Sequence, residues 1–169
     1  SAWVQLGDVA RIFRKTEAKK YVIDHHVSSD DMGACEFKDV TAEATGTLIF
    51  DLVEALGVQV DKEIGEPLFC AIATDTGWFR FPSTRRKTME VIGSLIDAGI
   101  APYQYYSLLY EQFTLGRMKL AGRALERMKL ECNGELSHTF VRFDDYAETG
   151  AEPADTEDLV NECLRVKGT

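Results

Sequence analysis

Tyr21, Val22 and Ile23 form a short apolar run suited to an extended strand, and it stops against three polar groups in succession, Asp24, His25 and His26. A regular apolar pattern returns only with Leu48, Ile49, Leu52, Val53 and Leu56, which repeat at helical spacing and end at Gly57. A strand, a polar loop of roughly fifteen residues and an amphipathic helix in that order confine the chain to a layered α/β architecture.

The remaining sequence extends this pattern. Val4, Leu6, Val9, Ile12 and Phe13 loosely fit a short opening helix. EPLFCAIATDTGWF, residues 66–79, predicts a buried helix that delivers Asp75 to a turn. Ser83 and Thr84 offer an N-cap for a further helix with Met89, Ile92, Leu95 and Ile96 on one face, closed by Gly99. Pro102 starts a longer helical region in which Tyr103, Tyr105, Tyr106 and Tyr110 are expected to pack against the core. Asn133-Gly134 lies between two alternating segments and predicts a hairpin, with His138 in a surface position on its second strand. Residues 156–169 read as an amphipathic helix. Glu43 and Thr45 are read as caps of the helix containing Leu48, and Trp3 and Trp78 as core anchors.

A formal net charge of −9 excludes a broad basic footprint for duplex nucleic acid, although a local metal site or arginine cluster can still attract a small anion. No apolar run approaches the roughly 20 residues that span a bilayer, and no basic, apolar leader opens the sequence, so the expected location is the cytoplasm. Cys35, Cys70, Cys132 and Cys163 form no CxxC pair and are expected as reduced, mostly buried thiols.

Carboxylate and imidazole suit a divalent ion that must stay open to substrate oxygen. Neighbouring side chains of an extended strand point to opposite faces, so His25 and His26 can share one ion only where the strand has already ended. Asp75 stands where a helix yields to the turn Thr76-Gly77, and Arg80, Arg85 and Arg86 lie close by in sequence, where guanidinium groups could hold phosphate oxygens. A zinc site from His25 or His26 with Cys35 and His138 matches no regular ligand spacing.

VIDHH at 22–26 followed by ATDTGWFRFPST at 73–84 resembles the DHH phosphoesterase superfamily, in the branch of oligoribonucleases, 3′-phosphoadenosine-5′-phosphate phosphatases and cyclic-dinucleotide phosphodiesterases. The opening SAWVQLG and Thr45-Gly46 before LIFDL fit the same pattern. The resemblance implies a three-layer α/β/α sheet and a hydrolase with two manganese ions, magnesium being the alternative. His25 and Asp75 would be metal ligands, Asp24 would orient the histidines, His26 would meet the phosphate, and Arg80 and Arg85 would bind substrate. The implied partner is a small nucleotide or phosphate, with neither long duplex nucleic acid nor membrane.

The upstream aspartate motifs of that family and its glycine- and histidine-rich substrate domain have no counterpart here. The chain is therefore expected to be an internal piece of a longer enzyme: 1–152 as the C-terminal part of the catalytic domain, with a sheet incomplete on its N-terminal side, and 153–169 as a linker or the start of the substrate domain. By itself it is expected to be inactive or nearly so, to bind manganese weakly, and to form a homo-oligomer through its uncovered sheet. The alternatives are a polyphosphate or pyrophosphate hydrolase of the same superfamily and a noncatalytic regulatory domain with a partial metal site.

Overall fold

The computed structural model describes residues 2–157 and 159–168. The chain divides into two compact units, Ser1–Tyr105 and Tyr106–Thr169.

In the first unit a 3-10 turn, Trp3–Leu6, precedes α1, Val9–Lys15. Strand β1, Tyr21–Asp24, pairs in parallel with β2, Cys35–Lys38, in the register Tyr21↔Cys35 and Asp24↔Lys38. β2 occupies part of the stretch that the sequence marks as loop. Its CEFK pattern is exposed or half-buried throughout and lacks the apolar run that announces β1. Helices α2, Thr45–Ala55, α3, Lys62–Asp75, and α4, Arg86–Asp97, follow. The architecture is α/β, with helices outweighing a two-stranded ladder.

Local chemistry sets the helix ends. α3 begins upstream of Pro67 because Asp61 caps it, accepting from the Ile64 N–H at 2.9 Å. α4 begins after the expected Ser83-Thr84 cap: Arg85 holds the cap position, and its N–H donates to Thr88 Oγ1 at 2.9 Å. α2 starts after Ala44, and Glu43 is buried instead of capping. Gly57 and Gly99 end α2 and α4 with left-handed φ of 69° and 99°.

The core joins Phe50 of α2, Leu68, Phe69, Ile72 and Ala73 of α3, and Val91, Ile92 and Leu95 of α4. Phe69 is fully buried, with its ring 5.8 Å from Trp78 and 5.5 Å from Tyr105. Of the tyrosines expected to pack, Tyr105 joins this core; burial, with hydrogen bonding to Glu66, pushes its phenol up to about 12. Tyr103 lies 72% exposed. A Cβ at Gly46 would stand 3.0 Å from Ile72 Cγ1 and 3.1 Å from Ala71 Cβ, so this glycine lets α2 and α3 approach closely. Tyr21 and Phe37, ring centroids 6.1 Å apart, leave one side of the ladder apolar and exposed.

The boundary between the units falls within α5, Pro102–Tyr110. The second unit contains α6, Leu115–Glu126, the antiparallel hairpin β3, Lys129–Glu131, and β4, Leu136–His138, then α7, Phe143–Thr149, and α8, Leu159–Cys163. The hairpin turn falls where Asn133-Gly134 predicts it, with positive φ at Cys132, Asn133 and Gly134. Arg117 donates to the Glu157 carbonyl and Ser137 to the Cys163 carbonyl, which seats the C-terminal segment on this unit. The expected tail helix is short, and Asp158 and Thr169 lie outside the described residues. All four cysteines are free, but Cys35 and Cys132 are exposed, not buried. Among the described residues, no helix is long and apolar enough to cross a membrane.

Two contacts dominate the second unit. Gly116 of α6 lies against the chain turn after α7, where a Cβ would meet the Gly150 carbonyl oxygen at 2.6 Å. Because that obstacle is backbone, Gly116→Ala should lower stability by about 1–3 kcal/mol, read as a lower thermal midpoint. Asp145, 2% exposed, accepts from Arg127, from Arg123 at 3.0 Å and from the Arg142 N–H at 2.7 Å. The Arg127 bond first, and those from Arg142 and Arg123 with it, hold its carboxyl well below the usual carboxylate range against the opposing effect of burial. A carboxyl depressed by folding stabilises above its unfolded titration range and loses that effect on acidification, so resistance to denaturant should fall as pH drops below about 4. Asp145→Asn should remove that part of the acid dependence and lower stability at neutral pH.

Candidate metal and phosphate site

β1 ends at Asp24 because its side chain turns back on the following residues. The carboxylate, 5% exposed, accepts from the His26 backbone N–H at 3.1 Å and from His26 Nδ1 at 2.7 Å. That turn breaks the strand alternation which would have sent the two imidazoles to opposite faces, and their rings stand 4.5 Å apart, edge to face. A carboxylate oxygen accepts here, so His26 carries its proton on Nδ1 and presents Nε2 outward from a side chain 56% exposed.

His25 is held differently. Its Nδ1 lies 3.2 Å from the Ala42 carbonyl oxygen, which can only accept, so the proton sits on Nδ1 and the Nε2 lone pair is left for other partners. Nε2 faces Asp75 Oδ2 at 3.6 Å. The strand end and the far end of α3 thus converge, an imidazole 17% exposed against a carboxylate 44% exposed. At this distance the two groups make no ordinary hydrogen bond. Two electron-rich atoms facing each other are satisfied by a cation, whether a proton or a metal ion.

The turn after Asp75 is built to hold it. Gly77, Trp78 and Phe79 take φ of 55°, 55° and 64°, a left-handed conformation that costs a non-glycine residue of order 1–3 kcal/mol. Burial of the two aromatic rings against Phe69 offsets that cost. Backbone bonds from Trp78 N–H to the Ala73 carbonyl at 2.7 Å, and from the Arg80 and Phe81 N–H groups to the Thr76 carbonyl at 3.1 Å each, lock the turn. Thr76, fully buried, donates Oγ1–H to the Ile72 carbonyl at 2.7 Å and accepts from the Phe79 N–H at 3.2 Å.

The two arginines read as substrate groups differ in setting. Arg80 is exposed and bends back to the turn, its Nε–H donating to the Gly77 carbonyl at 2.7 Å. Arg85 is half-exposed and donates from Nη2 to the buried Glu43 at 3.2 Å. The sequence gives no warning of Ala42 and marks Glu43 only as a helix cap, because a backbone carbonyl carries no residue signature and an isolated glutamate ordinarily lies on the surface.

The donor set suits a divalent cation that accepts both imidazole and carboxylate. His25 and Asp75 fit one edge of such a site, with the His25 tautomer already selected. Among the described residues, no group of three or more His, Cys, Asp or Glu side chains gathers where it could hold a metal.

Fold and site together define an α/β domain whose polar centre is an Asp-His-His strand end facing an aspartate at a helix end. No family model matches the chain. Its sequence is 29% identical over 154 residues to the bifunctional oligoribonuclease and PAP phosphatase NrnA of Bacillus subtilis, covering 89% of this chain and 49% of that protein. It is 30% identical over 148 residues to the protein of the same name from Thermus thermophilus, covering 87% and 44%. The fold matches that of an exopolyphosphatase-related protein from Bacteroides fragilis with a TM-score of 0.93 at 24% identity, over 99% of this chain and 50% of that one. The chain is homologous to the two NrnA proteins along most of its own length. It spans about half the length of the curated relatives it matches.

The Thr76 hydroxyl links α3 to the strained turn, and its replacement tests how far that turn depends on it. Thr76→Val keeps the volume and leaves the Phe79 N–H without its acceptor, which should cost about 1–3 kcal/mol in denaturant unfolding.

Proposed function

We propose that this sequence forms part of a divalent-metal-dependent phosphoesterase acting on small nucleotidic substrates: short oligoribonucleotides, 3′-phosphoadenosine-5′-phosphate or cyclic dinucleotides. The observation that carries the reading is the His25 Nε2 to Asp75 Oδ2 approach of 3.6 Å, with His25 Nδ1–H donating to the Ala42 carbonyl. The names of the relatives, which specify oligoribonuclease and PAP phosphatase, support the substrate class.

In this reading His25 and Asp75 hold manganese, with magnesium as the alternative and two ions in the complete site. The metal would supply an acidified water and would neutralise charge on the phosphoryl oxygens. Asp24 keeps the His26 ring turned so that Nε2 meets the phosphate or its leaving oxygen. Arg80, its Nε committed to Gly77, directs its remaining guanidinium donors to a second phosphate oxygen. The further metal ligands come from additional polypeptide, consistent with relatives about twice as long. The proposal includes a cytoplasmic location and a homo-oligomer, the latter supported by the exposed apolar side of the β1–β2 ladder around Tyr21 and Phe37.

The test is hydrolysis of dinucleotides, 3′-phosphoadenosine-5′-phosphate, cyclic dinucleotides and inorganic polyphosphate, with manganese, by the longest natural polypeptide carrying this sequence. Asp75→Ala should lower kcat/KM at least about 100-fold, as expected for removal of a charged ligand at the reacting centre. Turnover of polyphosphate alone would transfer the assignment to the hydrolase of inorganic chains. Undiminished turnover by the Asp75 variant would remove this residue from the site.

A further inference from the structure

Glu43 is a buried carboxylate that the chemistry above leaves unused. It lies in the turn between β2 and α2, and its side chain is 1% exposed. Thr47 of α2 donates Oγ1–H to its Oε1 at 2.9 Å, Arg85 at the head of α4 donates to its Oε2 at 3.2 Å, and Thr88 of α4 adds another bond. Burial opposes its ionisation, but these bonds and one from its own backbone outweigh burial and leave its pKa lowered. One carboxylate therefore ties its turn to the first residues of two helices.

The residue before it in the chain is Ala42, whose carbonyl accepts the proton of His25 Nδ1. Ala42 is itself tied to the turn, its N–H donating to the Asp39 carbonyl at 3.2 Å. Asp39 organises the turn from the other side, accepting from the Thr41 N–H at 2.8 Å and from its hydroxyl at 2.7 Å, but Asp39 and Thr41 are both exposed. Of the residues flanking Ala42, only Glu43 is anchored in the interior. The Ala42 peptide plane cannot rotate without moving the Glu43 backbone against its clamp.

We propose that Glu43, held by Arg85, is a positioning residue for His25: by fixing the Ala42 carbonyl it keeps the imidazole proton on Nδ1 and directs Nε2 at Asp75. The functional meaning of this device rests on the metal reading above. Arg85, expected from the sequence to bind substrate, acquires a supporting duty through Glu43. The hydrogen bond that one imidazole nitrogen makes decides what the other can do, so a carbonyl displaced from Nδ1 releases the ring to carry its proton on Nε2 and to turn away from the carboxylate.

The experiment is nitrogen-15 NMR of the imidazoles in the 169-residue chain without metal, where the three histidines are assigned by single substitution to glutamine. Wild-type His25 should be found as the Nδ1–H tautomer. Glu43→Gln preserves shape and removes the charge, and it should shift the tautomer ratio toward Nε2–H by about fivefold, the weight of one ordinary hydrogen bond. Arg85→Met, at a half-exposed position, should move it in the same direction by less, and it decides the question where Glu43→Gln does not fold. A His25 spectrum unchanged in the folded variants would falsify the proposal and leave Glu43 a stabilising group only. Manganese added to the wild-type chain tests the underlying reading separately. Paramagnetic broadening at His25 Nε2 is expected, and its absence would remove the metal assignment while the tautomer result stood.

Discussion

The site depends on a single buried acid that ends a strand. Asp24 folds its carboxylate over the next two residues, engages both the backbone and the ring of His26, and thereby stops β1 before His25. In a strand continued by one more pair of residues, the imidazoles would face opposite sides of the ladder and could not share a site. With the turn in place they stand edge to face beside each other, and His25 reaches the far end of α3. Burying that acid carries a desolvation cost, and the two bonds to His26 compensate for part of it.

α3 supplies the other half of the geometry by a different means. Its middle is apolar and buried in the core through Phe69, Ile72 and Ala73, while its last residue, Asp75, is nearly half exposed. The apolar helix fixes where the carboxylate emerges, and the strained Gly77-Trp78-Phe79 turn directs the chain away immediately afterwards. Backbone strain at a polar centre persists only where surrounding contacts overdetermine it, and here they are aromatic burial and the Thr76 hydroxyl. A rigid apolar support carrying a polar tip is a common way to hold a reactive group in place without packing it in apolar surroundings.

Much of this was legible in the sequence. The apolar run into Asp24-His25-His26 and the helix delivering Asp75 are signals carried by residue type and periodicity, and both elements form where those signals lie. What the sequence concealed depends on backbone and on tertiary partners. β2 is short and lacks a buried face, so no alternation marks it. Arg85 replaces Ser83 and Thr84 at the head of α4 because Thr88 reaches back to its N–H. Glu43 becomes an interior group only when α2 and α4 bring Thr47, Thr88 and Arg85 to it. The tyrosines of α5 follow the same lesson: Tyr105 finds Phe69, whereas Tyr103 points to solvent despite equal hydrophobic promise.

Because Asp75 is the terminal residue of α3, the length of that helix is itself a functional quantity. An insertion or deletion of one residue between the buried Phe69 and Asp75 would swing the carboxylate about 100° around the axis and shift it about 1.5 Å along it. No polar group would be lost, yet the acid would no longer face the imidazole. Drift in this segment is therefore restricted to exchanges of side chain, and its register must remain fixed.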